Sequence, residues 1–372
     1  MILGVGTDIV TVDRIRRALQ KPAFVKKCFT ENESYETPQS AAGLFAAKEA
    51  AAKALGTGFS GFFPRDIEIL KDENGKPCVN LLNAAKDTVT VQVSISHERD
   101  YAVAFAIAET AQASVLPKRP KRSNKGDFGN VGVFAGSEQM TGAAALAARA
   151  ALRAGAGIVR VFCDETTAAV IRLSLPEAIV NFGEYEKLTV AVIGCGMGDT
   201  EQTKTRVYEI LGKLTCPVVV DADALNVISR SPEMLINYPH GKVITPHPGE
   251  ASRLLGVPIS EILADTVKYA KELSEKFNAV VCLKDANTVI FAPDGRFTLN
   301  KTGSPALSKA GAGDVLAGTL AAFIAQYPKE LDIYDMAVKA VYVHGKAGEA
   351  AELVYGERGV LATDVADRLG LF

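Results

Sequence analysis

Residues 302–325 read TGSPALSKAGAGDVLAGTLAAFIA and decide the fold of the larger part of the chain. Gly311, Ala312 and Gly313 precede Asp314 and a long apolar stretch, which predicts a buried helix. Small residues leave backbone N–H groups open at a helix N-terminus, an arrangement that suits a phosphate. The alternative is that Asp314 simply caps the helix. Capping alone does not explain the preceding glycines, so we favour an anion hole.

Upstream of this helix, apolar runs typical of strands alternate with alanine-rich or amphipathic stretches typical of helices. The runs are VGVFAG at 131–136, GIVRVFC at 157–163, LTVAVIG at 188–194, CPVVVDAD at 216–223, GKVITP at 241–246 and NAVVCLKD at 278–285. This alternation predicts that residues 126–372 form an α/β layered fold with a mostly parallel sheet.

Ligands of such sheets bind outside the carboxyl ends of the strands. The unusual residues of this half follow strands, namely the loop GCGMG at 194–198, the run DADALN at 221–226 and the run TPHPGE at 245–250. The glycine loop alone is a weak signal, because glycines after a buried strand often only permit a tight turn.

Residues 1–110 have the pattern of a small α+β unit. A strand is expected over 2–10, helices over 12–27 and 40–56, and four further strands after them. Asp8 interrupts the first strand, and a buried carboxylate without a partner is costly. Glu49 and Lys53 lie four residues apart on the second helix, where they could form a surface ion pair.

His97 ends one of the later strands, where it could serve as a strand-end cap. Two carboxylates, a lysine and a histidine would also suit a hard metal ion beside a polyphosphate, because Mg²⁺ prefers carboxylates together with phosphate oxygens.

The stretch AQASVLPKRPKRSNK at 111–125 separates the two halves. Its five basic residues, two prolines and absence of acidic residues predict a soluble linker. The whole chain has 41 basic and 43 acidic residues, so its net charge of −2 does not favour nucleic acid or membrane surfaces. No run approaches the ~20 apolar residues of a membrane span.

The six cysteines form no CxxC pair, and the beginning of the chain has no signal-peptide pattern. We therefore expect a reduced, cytoplasmic protein.

The charged residues between Asp13 and Glu31 are all basic. Arg14, Arg17 and Lys21 have the spacing of one helix face, which predicts an acidic partner or a merely solvated surface. Nucleic acid is disfavoured as a partner, because no aromatic residue interleaves with these cations.

The segments GVGTDIVTVDRI, GLFAAKEAAAKALGTG, DIEILKDENGKP and VSISHERDYAVAFAIAE resemble the motifs of holo-acyl-carrier-protein synthases, in the order of that family. The resemblance implies transfer of 4′-phosphopantetheine from coenzyme A to a serine of apo acyl carrier protein. It also implies that Asp8 and Glu49 bind Mg²⁺. Lys53 and His97 would contact the coenzyme A phosphates, and His97 would also be a catalytic residue. Leu44 stands where many members of the family have arginine.

The same resemblance implies a homotrimer with its site between protomers. Acyl carrier proteins are acidic, so the basic residues Arg14, Arg17 and Lys21 would suit such a partner.

The segments KGDFGNVGVFAGSEQMTGAAALAARAALRAGAG, VIGCGMG, VVVDADALN, VITPHPGEASRLLG, VCLKDANTVI and NKTGSPALSKAGAGDVLAGTLAAF resemble ADP-dependent NAD(P)H-hydrate dehydratases, which have a ribokinase-like fold. The resemblance implies that the (S)-hydrates NADHX and NADPHX are dehydrated with ADP, giving AMP and phosphate.

The residues expected at the hydrated nicotinamide nucleotide are Ala143, Gly196, His247 and Asp314. Those expected at the adenine nucleotide are Lys284, Asp285, Ala286, Asn287, Thr288 and Gly313. Asp314 would accept the proton of the substrate hydroxyl.

Two alternatives to a bifunctional enzyme remain at the level of sequence. Residues 126–372 could be a ribokinase-like vitamin or small-molecule kinase, and residues 1–110 could bind acyl carrier protein without modifying it. Nothing in the spacing distinguishes ADP from ATP.

Overall fold

The structure is a computed structural model that describes residues 2–56, 58–59, 63–82, 89–110, 115–116, 118–181, 184–326 and 332–372. The chain forms two compact units, Met1–Ala113 and Ser114–Phe372. Within the described ranges, no helix is both long enough and apolar enough to cross a bilayer.

The first unit places helices beside small antiparallel sheets. Its strands are β1 (Ile2–Thr11), β2 (Ile67–Lys71), β3 (Pro77–Leu81), β4 (Val89–His97) and β5 (Tyr101–Thr110), and its helices are α1 (Val12–Leu19), α2 (Pro22–Cys28) and α3 (Pro38–Ala54). One antiparallel sheet has the order β1-β5-β4, and β2 pairs with β3. The alanine-rich α3 packs directly on one face of the larger sheet. Gly6 permits this close approach, since a Cβ there would lie 2.1 Å from the carbonyl oxygen of Ala50.

On the other face of that sheet, β1 and β5 expose apolar side chains. They are Leu3, Val5, Ile9, Val103 and Phe105, each between 41% and 63% exposed. Successive strand residues point to opposite faces, so Asp8 lies on the side of α3 while Ile9 lies on the open side.

The predicted helix over 12–27 is wrong in one respect, because the structure has two helices there. α1 ends at Leu19 and α2 begins at Pro22. A proline disfavours helical backbone at the residue before it, and Lys21 is accordingly extended, with φ −102° and ψ 107°. Lys21 therefore does not share a helix face with Arg14 and Arg17.

The second unit is an α/β fold around a nine-stranded sheet. Its strands are β6 (Asn130–Phe134), β7 (Ile158–Phe162), β8 (Ile179–Val180), β9 (Val190–Ile193), β10 (Val218–Val220), β11 (Lys242–Ile244), β12 (Val280–Leu283), β13 (Val289–Phe291) and β14 (Phe297–Leu299). Its helices are α4 (Thr141–Arg153), α5 (Glu165–Ser174), α6 (Glu201–Lys213), α7 (Ala222–Arg230), α8 (Glu233–Ile236), α9 (Pro248–Leu255), α10 (Ile259–Ala264), α11 (Thr266–Phe277), α12 (Ala312–Gln326), α13 (Ile333–Tyr355) and α14 (Ala362–Ala366).

The strand order is β14-β13-β12-β11-β10-β9-β6-β7-β8. β13 is antiparallel to both of its neighbours, β12 and β14, and all other neighbouring strands pair in parallel. The predicted mostly parallel sheet is confirmed, and all six apolar runs contain strands. The alanine-rich α4 and the apolar α12 pack against each other, and both contribute to one of the unit's two large cores.

The described residues of the predicted linker lie in the second unit. Val115 and Leu116 pack against its core. The guanidinium of Arg119 lies 3.7 Å from the centre of the Phe128 ring and donates to Gln326 Oε1 at 2.9 Å. Residues 111–114 and 117 lie outside the described residues, so the linker itself stays a prediction.

Candidate functional sites

In the first unit, a lysine and two carboxylates converge between β1 and α3. Lys53 Nζ lies 2.8 Å from Asp8 Oδ1 and donates to the carbonyl of Thr7 at 2.9 Å. Lys53 therefore bonds to Asp8 on the neighbouring strand. Burial raises the pKa of Glu49, and the negative charge of Asp8 raises it further. The part of this shift that comes from Asp8 reflects repulsion between two carboxylates, which a bound cation would relieve.

His97 lies on the same face of the sheet. His97 of β4 pairs with Ala102 of β5, two residues along that strand from Ala104, which pairs with Asp8 of β1. The histidine is exposed and lies beside α3, since a Cβ built on Gly43 of that helix would lie 4.0 Å from His97 Cδ2. The fold thus places all four predicted residues of this half on the α3 side of one sheet.

Leu44 is buried in the core of the first unit. Among the residues that the structure describes, no cluster of three or more His, Cys, Asp or Glu side chains could hold a metal ion. The Mg²⁺ site at Asp8 and Glu49 stays a prediction, with two protein ligands beside the waters and phosphate oxygens that Mg²⁺ usually keeps.

In the second unit, a buried ion pair occupies the carboxyl edge of the sheet. Asp221 follows β10 and is 1% exposed, and Lys284 follows β12. Lys284 Nζ lies 2.7 Å from Asp221 Oδ1 and 3.9 Å from Glu250 Oε2. Burial lowers the pKa of Lys284, but the charges of both carboxylates outweigh it, so the pKa is raised overall. Lys284 is therefore a fixed positive charge.

Asp314 is the third residue of α12, so it is not the capping residue of that helix. Its pKa is raised to about 6, chiefly by burial and then by the charge of Asp221. The thiol of Cys195 donates a hydrogen bond to it and partly offsets the rise. A carboxylate with such a pKa is mostly ionised at neutral pH and is a stronger base than an ordinary aspartate.

His247 directly precedes α9 as its N-cap and is fixed by reciprocal capping bonds. Its Nδ1 accepts from the amide of Gly249 at 2.9 Å, while Glu250 Oε2 accepts from the His247 amide at 2.8 Å. Burial and the charge of Lys284 lower the pKa of His247. The neutral ring therefore carries its proton on Nε2, which lies 3.4 Å from Glu250 Oε1.

These groups share one cavity of about 890 Å³. The predicted residues that line it are His247, Lys284, Asp285, Ala286, Thr288, Gly313 and Asp314. Gly196 and Ala143 contact each other, since a Cβ on Gly196 would lie 2.6 Å from the Cβ of Ala143. Gly196 follows Cys195, the partner of Asp314. Asn287 is exposed beside the cavity-lining Ala286 and Thr288.

Four residues of this cluster had no role predicted from the sequence. Glu250 and Asp221 stand in sequence motifs where a carboxylate closely follows an apolar strand. Cys195 lies in the glycine loop at 194–198 and His344 in no motif, and neither contact could be predicted because the partners lie far away in the sequence. His344 lines the cavity from α13, with Nε2 3.1 Å from the carbonyl oxygen of Ala312.

Residues 131–370, well over half of the chain, match the family model for NAD(P)H-hydrate dehydratase. The chain belongs to the NAD(P)H-hydrate dehydratase family. It is 36% identical over 269 residues to the bifunctional NAD(P)H-hydrate repair enzyme Nnr of Escherichia coli, a match that covers 70% of this chain and 50% of that protein. The chain thus spans about half the length of the first curated relatives that it matches.

A shorter relative matches along almost its whole length. The ADP-dependent (S)-NAD(P)H-hydrate dehydratase of Bacillus subtilis is 34% identical over 279 residues, with 72% of this chain and 96% of that protein covered. A crystal structure of the ADP/ATP-dependent NAD(P)H-hydrate dehydratase of the same organism, co-crystallised with ATP and Mg²⁺, superposes with a TM-score of 0.61 at 34% identity. It covers 68% of this chain and 92% of that one.

Residues 4–106 match a second family model, that of the 4′-phosphopantetheinyl transferase superfamily. The NAD(P)H-hydrate dehydratase unit is therefore joined to a transferase unit, and the prediction of two enzyme families in one chain is confirmed. The roles of individual site residues stay predictions.

Proposed function

We propose that the second unit dehydrates the (S)-hydrates of NADH and NADPH, NADHX and NADPHX, with ADP as the phosphoryl donor. The observation that carries this proposal is Asp314. It lies at the glycine-rich start of α12, in the cavity that also holds the Lys284–Asp221 pair. A base, a fixed cation and open backbone amides are the groups that phosphoryl transfer to a hydroxyl requires.

The reaction needs such a transfer because hydroxide is a poor leaving group. Asp314 accepts the proton of the substrate hydroxyl. The hydroxyl oxygen then attacks the β-phosphorus of ADP, and AMP is the leaving group. The ring nitrogen then expels this oxygen as phosphate with cleavage of the C–O bond, and loss of a proton from the adjacent ring carbon restores NADH or NADPH. The Ala312 amide donates to the carbonyl of Lys309, so the amides of Gly311 and Gly313 are the ones that would stabilise the charge on the transferring group.

The predicted contacts divide the cavity between two ligands. Ala143, Gly196 and His247 would border the hydrated nicotinamide nucleotide. The loop from Lys284 to Thr288, with Gly313, would border the adenine nucleotide. His247 suits a neutral ligand group, because its lowered pKa leaves the ring uncharged.

The test is a product assay with hydrated NADH and ADP. We expect NADH absorbance to return with equal amounts of AMP and phosphate released. Stable phosphorylated product without NADH would instead indicate the small-molecule kinase that sequence analysis left open. ATP in place of ADP, in a parallel reaction, would establish the preferred donor.

We propose that the first unit transfers 4′-phosphopantetheine from coenzyme A to a serine of apo acyl carrier protein. Two observations support this proposal: Lys53 pairs with Asp8, and the pKa of the nearby Glu49 is raised. Lys53 and His97 would contact the coenzyme A phosphates, with His97 close to the reacting group.

Asp8 and Glu49 fit Mg²⁺ because carboxylate oxygens are ligands that Mg²⁺ prefers, and the charge of Asp8 contributes, after burial, to the raised pKa of Glu49. When bound, Mg²⁺ supplies charge neutralisation at phosphate oxygens. Lys53 and His97 would orient the phosphates of coenzyme A. The Lys53 ammonium lies beside Asp8, so the chain itself supplies one positive charge for the donor phosphates, in addition to the metal ion.

The exposed residues Arg14, Arg17 and Lys21 are our proposed contact for acyl carrier protein. Arg17 Nη2 lies 3.1 Å from Asp13 Oδ2, which partly neutralises this surface. We propose that the open apolar face of β1 and β5 is covered in a homotrimer, because a contiguous exposed apolar patch marks an interaction site.

Mass spectrometry of apo acyl carrier protein after incubation with the chain, coenzyme A and Mg²⁺ tests the transfer. An added mass of one phosphopantetheine is expected. Binding of the carrier protein without added mass would support the binding-only alternative. Sedimentation of Phe105→Glu against the unchanged protein tests the trimer, and equal sedimentation would count against it.

A further inference from the structure

His344 contacts the backbone at the start of α12, and the proposed reaction gives it no role. It lies on α13 at the wall of the cavity and is 8% exposed. Its Nε2 lies 3.1 Å from the carbonyl oxygen of Ala312. A carbonyl oxygen only accepts hydrogen bonds, so Nε2 carries the hydrogen and donates it.

The bonded carbonyl belongs to the same peptide group as the amide of Gly313. That peptide is trans, and in a planar trans peptide the C=O and N–H bonds point in opposite directions. The Gly313 N–H belongs to the first turn of α12, where amides have no acceptor within the helix. A carbonyl held towards His344 therefore aims the Gly313 N–H out of the helix start.

Charged groups surround the place where this amide lies. A Cβ on Gly313 would lie 3.5 Å from Lys284 Nζ and 3.5 Å from Asp221 Oδ2. All three residues line the cavity, and Asp314 follows directly in the chain. The Gly313 amide and the Lys284 ammonium are thus placed to bind the same anionic ligand group, beside Asp314.

His344 makes this contact as a neutral ring. Its pKa is lowered to about 4, chiefly by burial and further by the charge of Lys284, while the bond to Ala312 opposes the fall. A neutral donor fixes the peptide without adding a second positive charge beside Lys284. It also keeps the donor state constant across the pH range in which Asp314 ionises.

We propose that His344 is a positioning residue of the dehydration reaction, which holds the Ala312–Gly313 peptide so that the Gly313 amide faces the phosphoryl group in transfer. This inference rests on the proposed dehydratase function. The competing account is that His344 only fills space between α12 and α13.

The two accounts predict different kinetic effects. An amide aimed at the charge of the transition state affects kcat more than ground-state binding. Simple packing affects stability, and any loss of activity would follow the loss of folded protein.

Three variants of the full chain separate the accounts. His344→Leu removes the donor and keeps apolar volume, while His344→Gln places a side-chain N–H at a similar reach. Val343→Ala is the matched control, because it removes volume from the fully buried neighbouring position of α13.

We expect His344→Leu to lower kcat for dehydration about 10- to 100-fold, at or below the effect of deleting one oxyanion-hole donor. The KM values for ADP and hydrated NADH should change less than about threefold. His344→Gln should recover most of kcat, and Val343→Ala should keep it despite a lower melting temperature. Unchanged kcat in His344→Leu, or a failure of glutamine to restore it, would overturn the proposal.

A binding measurement keeps the inference separate from the proposed function. AMP with aluminium fluoride mimics the planar phosphoryl group between donor and acceptor, and calorimetry measures its affinity. The unchanged protein should bind AMP at least about tenfold more tightly with fluoride present, and His344→Leu should lose that gain while binding AMP alone normally.

If hydrated NADH is not turned over at all, the proposed function fails, and the fluoride measurement still decides the role of His344. No fluoride-dependent gain in the unchanged protein, or an undiminished gain in His344→Leu, would refute that role.

Discussion

Replacing Asp314 by asparagine should make the second unit more stable and less active. The structure raises the pKa of Asp314 from 3.8 to about 6, mainly by burial. Each pKa unit corresponds to about 1.4 kcal/mol, so the ionised side chain costs about 3 kcal/mol of folding free energy at pH 8. Asparagine keeps the size of the side chain and can still accept the Cys195 thiol, but it carries no charge.

The sign follows from proton binding. Between pH 4 and 6 the folded state holds a proton on Asp314 that the unfolded state has released, so wild-type stability falls as the pH rises through this range. The Asp314→Asn variant lacks this fall. The difference in free energy of unfolding should therefore be near zero at about pH 4 and reach about 3 kcal/mol above about pH 7, which corresponds to roughly 5–10 °C in melting temperature.

The assay is thermal and denaturant unfolding of both proteins over this pH range, together with dehydration rates. Dehydration should fall at least about a hundredfold, the loss expected for a missing general base, with phosphopantetheine transfer unchanged. Asp367→Asn is the control of opposite sign, because Arg149 lowers the pKa of Asp367 and its charge is stabilising. A variant at Asp314 that is less stable than wild type at pH 8, or a difference that does not vary with pH, would refute the reasoning.

Three further predictions concern the two sites. Asp8→Ala or Glu49→Ala should abolish phosphopantetheine transfer, measured by mass spectrometry of the carrier protein, while dehydration continues; normal transfer at saturating Mg²⁺ would contradict the metal assignment. Replacing the basic residues Arg14, Arg17 and Lys21 by glutamate should raise KM for acyl carrier protein far more than KM for coenzyme A, and equal increases would point to a structural role. Lys284→Met should cost about 3–5 kcal/mol of unfolding free energy, because it leaves Asp221 buried without its cation, and chemical denaturation at neutral pH measures the loss.

The sequence predicts most of the parallel sheet, because long apolar runs that alternate with helices have few other structures open to them. It does not predict the hairpin of β13 and β14, whose strands are three residues each and too short for a periodic pattern. The break between α1 and α2 was visible at Pro22, but the apolar spacing on either side of the proline favoured one continuous helix.

The chemical residue types of both sites were also predictable, while their partners were not. Lys53 has a helical neighbour in Glu49, yet its bond is to Asp8 on a strand 45 positions away. Lys284 and Asp221 are 63 positions apart and meet only because their strands β12 and β10 both end at the same edge of the sheet. Such pairs depend on strand order, which a single sequence does not encode in any local pattern.

The rate at which a thiol reagent labels Cys195 measures how often the cavity beside it opens. Burial raises its pKa well above the ordinary value, so little of the reactive thiolate exists while the site is closed. Of the six cysteines, only Cys78 is exposed, and it should react with a thiol reagent at once. Slow labelling of Cys195 then reports how often the start of α12, which holds Asp314, separates from the loop at 194–198, which holds Cys195. A nucleotide that fills the cavity would lengthen that interval, so binding can be timed without following any turnover.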